Sequence, residues 1–213
     1  VELEHPRLKS FIPKLASETE AAIYDRLSSY PMRSAYRPHI SSVMPESVHA
    51  TKTERDVFVG GTAYNFLNVA KDYPSQALAG GKLSSSRLHR LSFANAEDAY
   101  AGFAILASRF AFWLWHVECD GFHVPTWFLH DLPIFDLPLS FDHRRRLSRI
   151  GEAMWRGASE DLLASNNAGK WTFAFRPTRI KTERAEADAI LLDAVDAPPG
   201  SLDAFTRFEE RVV

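Results

Sequence analysis

The stretch from Ala94 to Pro133, ANAEDAYAGFAILASRFAFWLWHVECDGFHVPTWFLHDLP, decides how the rest of the chain is read. Asn95 is a good N-cap, because its side chain can accept a hydrogen bond from the first free helical N–H groups. Glu97 and Asp98 follow in the first turn, where the helix dipole favours negative charge. From Ala99 to Val117 nearly every residue is apolar, and Phe103, Leu106, Phe110, Trp113 and Val117 share one face at helical spacing. Ala104, Ile105, Ala111, Phe112 and Trp115 cover much of the remainder, so the pattern predicts one helix, Glu97 to Val117, buried on most sides. A membrane span is the alternative, but the length is marginal and Arg109 would sit near mid-bilayer.

Beyond the helix, Asp120-Gly121 is a turn signal and Phe122-His123-Val124 an extended piece closed by Pro125. Thr126 is expected to cap a short helix, WFLHDL, which Pro133 stops. The carboxylates and imidazoles of Glu118, Asp120, His123, His130 and Asp131 lie close enough in sequence to suggest a metal. No HExxH supports that, and a Gly turn separates Asp120 from His123.

Working outward, Ser17 and Glu20 form a capping box ahead of Ala21, Ile23, Tyr24 and Leu27. The segment Pro31 to Thr53 holds three prolines, Pro31, Pro38 and Pro45, and reads as extended or looped. Arg33, Tyr36, Arg37 and His39 are concentrated there, with Lys52 and Arg55 following, and arginine beside tyrosine suits phosphate contact and base stacking. A solvated loop accounts for them equally well. Val57 to Val69 (VFVGGTAYNFLNV) reads as a hairpin turning at Gly60-Gly61. Gly80-Gly81-Lys82-Leu83 is not a phosphate loop: the first glycine of GxxxxGK[ST] would fall at Gln76, and Leu83 follows the lysine. It reads as a flexible loop leading through Ser84, Ser85, Ser86 and Arg87 into a strand, Leu88 to Phe93. On that strand Leu88, Arg90 and Ser92 share one face, while His89 and Leu91 share the other.

Downstream, Ser140 is expected to cap a helix from Phe141 to Ala164. His143, Arg144, Arg145, Arg146 and Arg149 make its first turns basic, the unfavourable end for the dipole. A solvated face, contact with DNA backbone and contact with another domain all fit. A turn at Asn166 to Gly169, a strand Trp171 to Phe175, a helix Glu183 to Val195 and a last helix Leu202 to Val212 complete the chain.

A long apolar helix running through Leu106-Ala107-Ser108 into Phe and Trp, then Asp120-Gly121-Phe122-His123 and Leu132-Pro133, resembles the C-terminal target-recognition (specificity) domain of adenine-N6 DNA methyltransferases of the type II and fused type IIG restriction-modification class. Val57 to Val69 resembles the strand pair before that helix, and Ser84 to Phe93 the strand leading into it. Asn167 to Leu192 resembles the closing region, with its Gly169-Lys170, aromatic strand, Arg176-Pro177 and Arg184-x-x-x-Asp188. The likeness spans most of residues 20 to 210.

The resemblance implies a domain that selects a sequence in double-stranded DNA and works with a catalytic methyltransferase domain of the same polypeptide, which would bind S-adenosylmethionine. This chain has neither an Asn/Asp-Pro-Pro-Tyr/Phe loop nor a Gly-rich cofactor loop, since Pro198-Pro199 stands between Ala197 and Gly200. It is therefore expected not to be catalytic by itself. The residues expected at DNA are Arg33, Arg37, Lys52, Lys82, Ser85, Arg87, His89 and Arg90.

At 213 residues and 46% hydrophobic, the chain can form a sizeable core. Cys119 is its only cysteine, which excludes an internal disulfide and CxxC zinc sites. A reducing cytoplasm is the expected setting, and Val1 in place of Met suits a domain taken from a longer enzyme. Residues 1–95 carry 12 Lys/Arg against 9 Asp/Glu, and the remainder 13 against 18, so DNA binding would need a local basic face. The expected fold is mixed α/β (α+β): a small, mainly antiparallel sheet packed on a long buried helix, with a helical C-terminal tail. It divides into a helical connector (1–30), a recognition core (31–138) and a tail (139–213). Two alternatives stay open: a protein-interaction scaffold that does not bind DNA, and a metal-dependent hydrolase using Asp120 and His123.

Overall fold

The computed structural model describes residues 13–30, 36–63, 66–73, 81–83, 86–160, 163–167, 169–174 and 177–213. The fold is α+β, with a mainly antiparallel four-stranded sheet against a helical core and helices at the C-terminus. Its helices are α1 (Glu18–Ser28), α2 (Pro45–Thr51), α3 (Ala96–Ala107), α4 (Arg109–Glu118), α5 (Thr126–Asp131), α6 (Phe141–Ser159), α7 (Lys181–Ala194) and α8 (Ser201–Val212). Its strands are β1 (His39–Val43), β2 (Asp56–Gly60), β3 (Val69–Ala70), β4 (Lys82–Leu83), β5 (Leu88–Ser92), β6 (Leu163–Asn167) and β7 (Lys170–Ala174).

The four-stranded sheet has the order β1-β5-β2-β3, antiparallel throughout. Residues 39–51, read from sequence as irregular, form an edge strand and a short helix. Pro45 is tolerated because it sits in the first turn of α2, where its missing N–H would have had no partner. The hairpin partner of β2 is also later than expected. Phe58 pairs with Ala70 and Val59 with Val69, leaving a long connection after Gly60-Gly61. A second sheet, β4-β7-β6, joins Lys82–Leu83 in parallel to β7. Strand β6 lies where the end of a helix and a turn were expected.

Alternation on β2 and β5 sends Val57, Val59 and Leu91 into the main core, and Phe58 and Leu88 into a smaller cluster with Val48, Tyr73 and Leu83. The sheet is thus covered on both faces, and Trp171 packs on the smaller cluster. In the main core Phe103, Phe110, Trp113 and Trp115 are fully buried. Each phenylalanine contributes about 1.5–3 kcal/mol relative to exposure.

The central helix is not continuous. Ser108 has an extended backbone (φ −68°, ψ 158°) and ends α3 while capping α4, its Oγ accepting from Ala111 N at 3.0 Å. The Ser108 hydroxyl in turn donates to the Ile105 carbonyl at 2.6 Å. Two glycines permit close packing around α3. A Cβ on Gly151 of α6 would lie 1.9 Å from the Tyr100 carbonyl oxygen, and one on Gly102 would lie 2.1 Å from the Phe93 ring. The core runs unbroken across Phe135 to Leu139, where a soft boundary was expected, because α6 packs directly on α3. Among the described residues no helix is long and apolar enough to cross a membrane.

Candidate nucleic-acid interface

The eight residues expected at DNA separate once their partners are known. Arg33 and Ser85 lie outside the described residues. Three cations are engaged inside the protein. Arg90 reaches across the sheet to Asp56, Nη2 to Oδ2 at 2.6 Å, and also donates to the Thr51 carbonyl at 2.9 Å. Asp56 further accepts from Ser92 and Thr53. Burial alone would raise the Asp56 pKa, but these donors outweigh it and hold the carboxyl at about 2. Arg37 grips Asp136 with Nε (2.8 Å) and Nη2, and the His130 carbonyl with Nη1. Lys52 pairs with Asp72.

Arg87 and Lys82 are exposed and have no carboxylate partner among the described residues. Lys82 stands in register with Lys170 on the second sheet. Arg87 and His89 enter β5 at its N-terminal end, against the loop after β2; a Cβ on Gly61 would lie 3.2 Å from the Arg87 carbonyl. His89 is partly buried and donates from Nε2 to the Val124 carbonyl at 2.7 Å. Its pKa is lowered, first by burial, with the Val124 bond opposing and the nearby His130 adding to the drop.

That contact joins the strand to the turn after α4. Asp120 Oδ1 accepts from Phe122 N (2.8 Å) and His123 N (2.7 Å), while Gly121 takes a positive φ of 79°. The turn is tied down on two sides. Trp115 of α4 donates from Nε1 to the His123 carbonyl at 2.8 Å. Ala63 N donates to Phe122 O and Val124 N to Gly61 O, an isolated bridge to the β2–β3 connection. The rigid backbone holds Phe122 37% exposed, edge-on to the His123 ring at 4.7 Å.

Helix α5 follows. Pro125, not Thr126, occupies its N-cap position. Phe128 and Leu129 point inward, so Trp127 (43% exposed) and His130, three residues apart, face out. Helix α5 also lies beside edge strand β1, whose His39 and Ser42 are exposed. Thr62 and His123 are exposed and joined by the isolated bridge, with Phe122 beside them; Arg87 is exposed where its backbone meets Gly61, and Trp127 and His130 are exposed on α5. The sequence reading gave Phe122, Trp127 and His130 no part in a DNA surface. The signal was present: the inward set Phe128, Leu129 and Leu132 leaves Trp127 and His130 on the opposite face of one helical turn.

The metal reading finds little support here. Asp120 Oδ2 and His123 Nδ1 are hydrogen-bonded to each other at 2.6 Å, and that bond heads the causes holding the Asp120 carboxyl below its usual range. Glu118 accepts from Tyr24 at 3.2 Å. Among the described residues no group of three or more His, Cys, Asp or Glu side chains is arranged to hold a metal. Chemically, the surface is suited to stacking and to hydrogen bonding from arginine and imidazole. Comparison with protein-family models, with characterised proteins and with solved structures gave no match.

Proposed function

We propose that this chain is the target-recognition domain of a restriction-modification type adenine-N6 DNA methyltransferase, and that its partner is double-stranded DNA. What supports the reading is the exposure of Arg87, Phe122, His123, Trp127 and His130, with the Phe122–His123 turn tied by backbone bonds to a buried helix and to the β2–β3 connection. Arginine reads guanine edges, and exposed aromatics stack on bases regardless of sequence. In this reading the target adenine is flipped into a pocket on a catalytic domain of the same polypeptide, which also binds S-adenosylmethionine. This chain grips the duplex and selects the site. The absence of an Asn/Asp-Pro-Pro-Tyr/Phe loop from its sequence agrees with that division of labour.

The test is a titration of labelled duplex with the wild-type chain, Arg87→Ala and Trp127→Ala. Loss of one arginine–base contact or one stacking contact corresponds to about 1–3 kcal/mol, or about fivefold to a hundredfold in affinity. Wild-type affinity in both variants would remove this surface from DNA recognition and favour a protein-docking role for its aromatics.

A further inference from the structure

The geometry points to the first turns of α6 as a second DNA contact, a clamp on the phosphate backbone; this rests on the DNA-binding reading above. His143, Arg144, Arg145, Arg146 and Arg149 fall within two turns, with Asp142 the one acidic residue among them. Positive charge at a helix N-terminus opposes the dipole, and Arg145/Arg149 and Arg146/Arg149 are like-charged neighbours on the helix surface. The helix is held there by other means. Ser140 caps it, accepting from His143 N at 3.0 Å, and Leu147, Ile150, Gly151 and Met154 are buried beneath it.

Arg145, Arg146 and Arg149 are exposed, and none has a carboxylate partner among the described residues. By contrast, Arg37, Arg90, Arg109 and Arg184 are each paired with an acid. Arg145, Arg146 and Arg149 stand on one side of this helix, at i, i+1 and i+4. Arg145 and Arg149 lie about 6 Å apart along its axis. Guanidinium groups so placed can each take two phosphate oxygens.

Continuity selects duplex DNA over an acidic protein as the occupant. The Arg144 guanidinium lies 4.0 Å over the Tyr36 ring. Tyr36 adjoins Arg37, which holds the His130 carbonyl and Asp136. The arginine row thus begins where the Trp127–His130 face ends, so one ligand can lie across both.

The experiment uses the full chain, fluorescence anisotropy and labelled duplex from ~50 to ~200 mM salt. Each phosphate contact adds about 0.9 to the slope of log affinity against log salt. R145A/R149A is expected to lower that slope by about 1.8 and affinity at ~100 mM salt by about tenfold or more. R145K/R149K, which keeps the charges, should retain the wild-type slope. Wild-type slope and affinity in R145A/R149A, with Arg87→Ala still weakened, would overturn the clamp and leave the recognition reading standing. No binding by the wild-type chain at ~50 mM salt would overturn both.

Discussion

Arg184 donates through Nε to the carbonyl of Ala107 at 2.9 Å, across 77 residues of chain. One helical turn further along α7, Asp188 accepts from the N–H of Phe110 at 3.1 Å. Ala107 ends α3 and Phe110 lies in the first turn of α4, so a single face of α7 satisfies an orphan carbonyl and an orphan N–H of two abutting helices. Arg109 and Glu209 complete the network: Arg109 reaches Asp188 at 3.3 Å and Glu209 at 2.6 Å, and Arg184 reaches Glu209 at 2.5 Å. The broken helix and the Arg-x-x-x-Asp helix, separate strands of the sequence resemblance, are thereby one structural unit.

Removing a partner from this network should be costly. Asp188→Ala leaves Phe110 N without its acceptor and Arg109 short of a counter-charge in a buried site. Unfolding free energy should fall by about 3–5 kcal/mol in urea titration. A loss below about 1 kcal/mol would show that the two helices hold their break without α7.

The closest approach of α3 and α6 gives a steric prediction. Gly151→Ala sets a methyl group against the Tyr100 carbonyl, where an ideal Cβ would lie at 1.9 Å, and backbone cannot give way as a side chain can. Stability should drop by about 1–3 kcal/mol even though alanine is the better helix former. A rise in Tm would contradict the packing described.

Two buried carboxyls give the stability profile opposite slopes in different pH windows. Asp56, held at about 2 against an ordinary 3.8, contributes stability that is complete above 3.8 and lost as pH falls through about 2. Asp188 is raised to about 6, chiefly by burial, which Arg184, Arg109 and the Phe110 N–H only partly offset. Its contribution is present below 3.8 and lost as pH rises through about 6. Asp188→Asn should therefore flatten the decline in stability between those values, a difference of up to about 3 kcal/mol. Urea midpoints across that range check it, and parallel profiles for the two proteins would refute it.

Arg87 and Arg90 lie on or just before the same strand, yet should behave differently. Arg90→Ala strips the buried Asp56 of its cation and should cost about 1–3 kcal/mol of stability. Arg87 is exposed and unpaired by any described acid, so Arg87→Ala should leave stability within about 0.5 kcal/mol. Thermal melts of the two variants distinguish them, and equal destabilisation would mean that Arg87 has a structural partner.

What the sequence disclosed depended on range. Helix starts were legible because their caps are local: Ser17, Asn95 and Ser140 each accept from the N–H three residues on. The break at Ser108 was hidden inside an apolar run even though its cap is equally local, Ala111 N three residues on; only the bonds from Arg184 and Asp188 come from distant sequence. Strand β6 was missed although its partner β7 follows directly, Asn167 opposite Lys170 and Leu163 opposite Ala174, because the helix from Phe141 was read through to Ala164. At the candidate surface, Arg37, Lys52 and Arg90 looked available because Asp136, Asp72 and Asp56 stand 99, 20 and 34 residues away. Trp127 and His130 could have been found from the periodicity of one short helix.

The most direct measurement is fluorescence anisotropy of labelled duplex DNA against the wild-type chain, at ~50 and then ~200 mM salt, with circular dichroism confirming the folded state. The recognition account predicts saturable binding at the lower salt that weakens steeply at the higher. A folded chain that leaves the anisotropy unchanged at ~50 mM salt would contradict it.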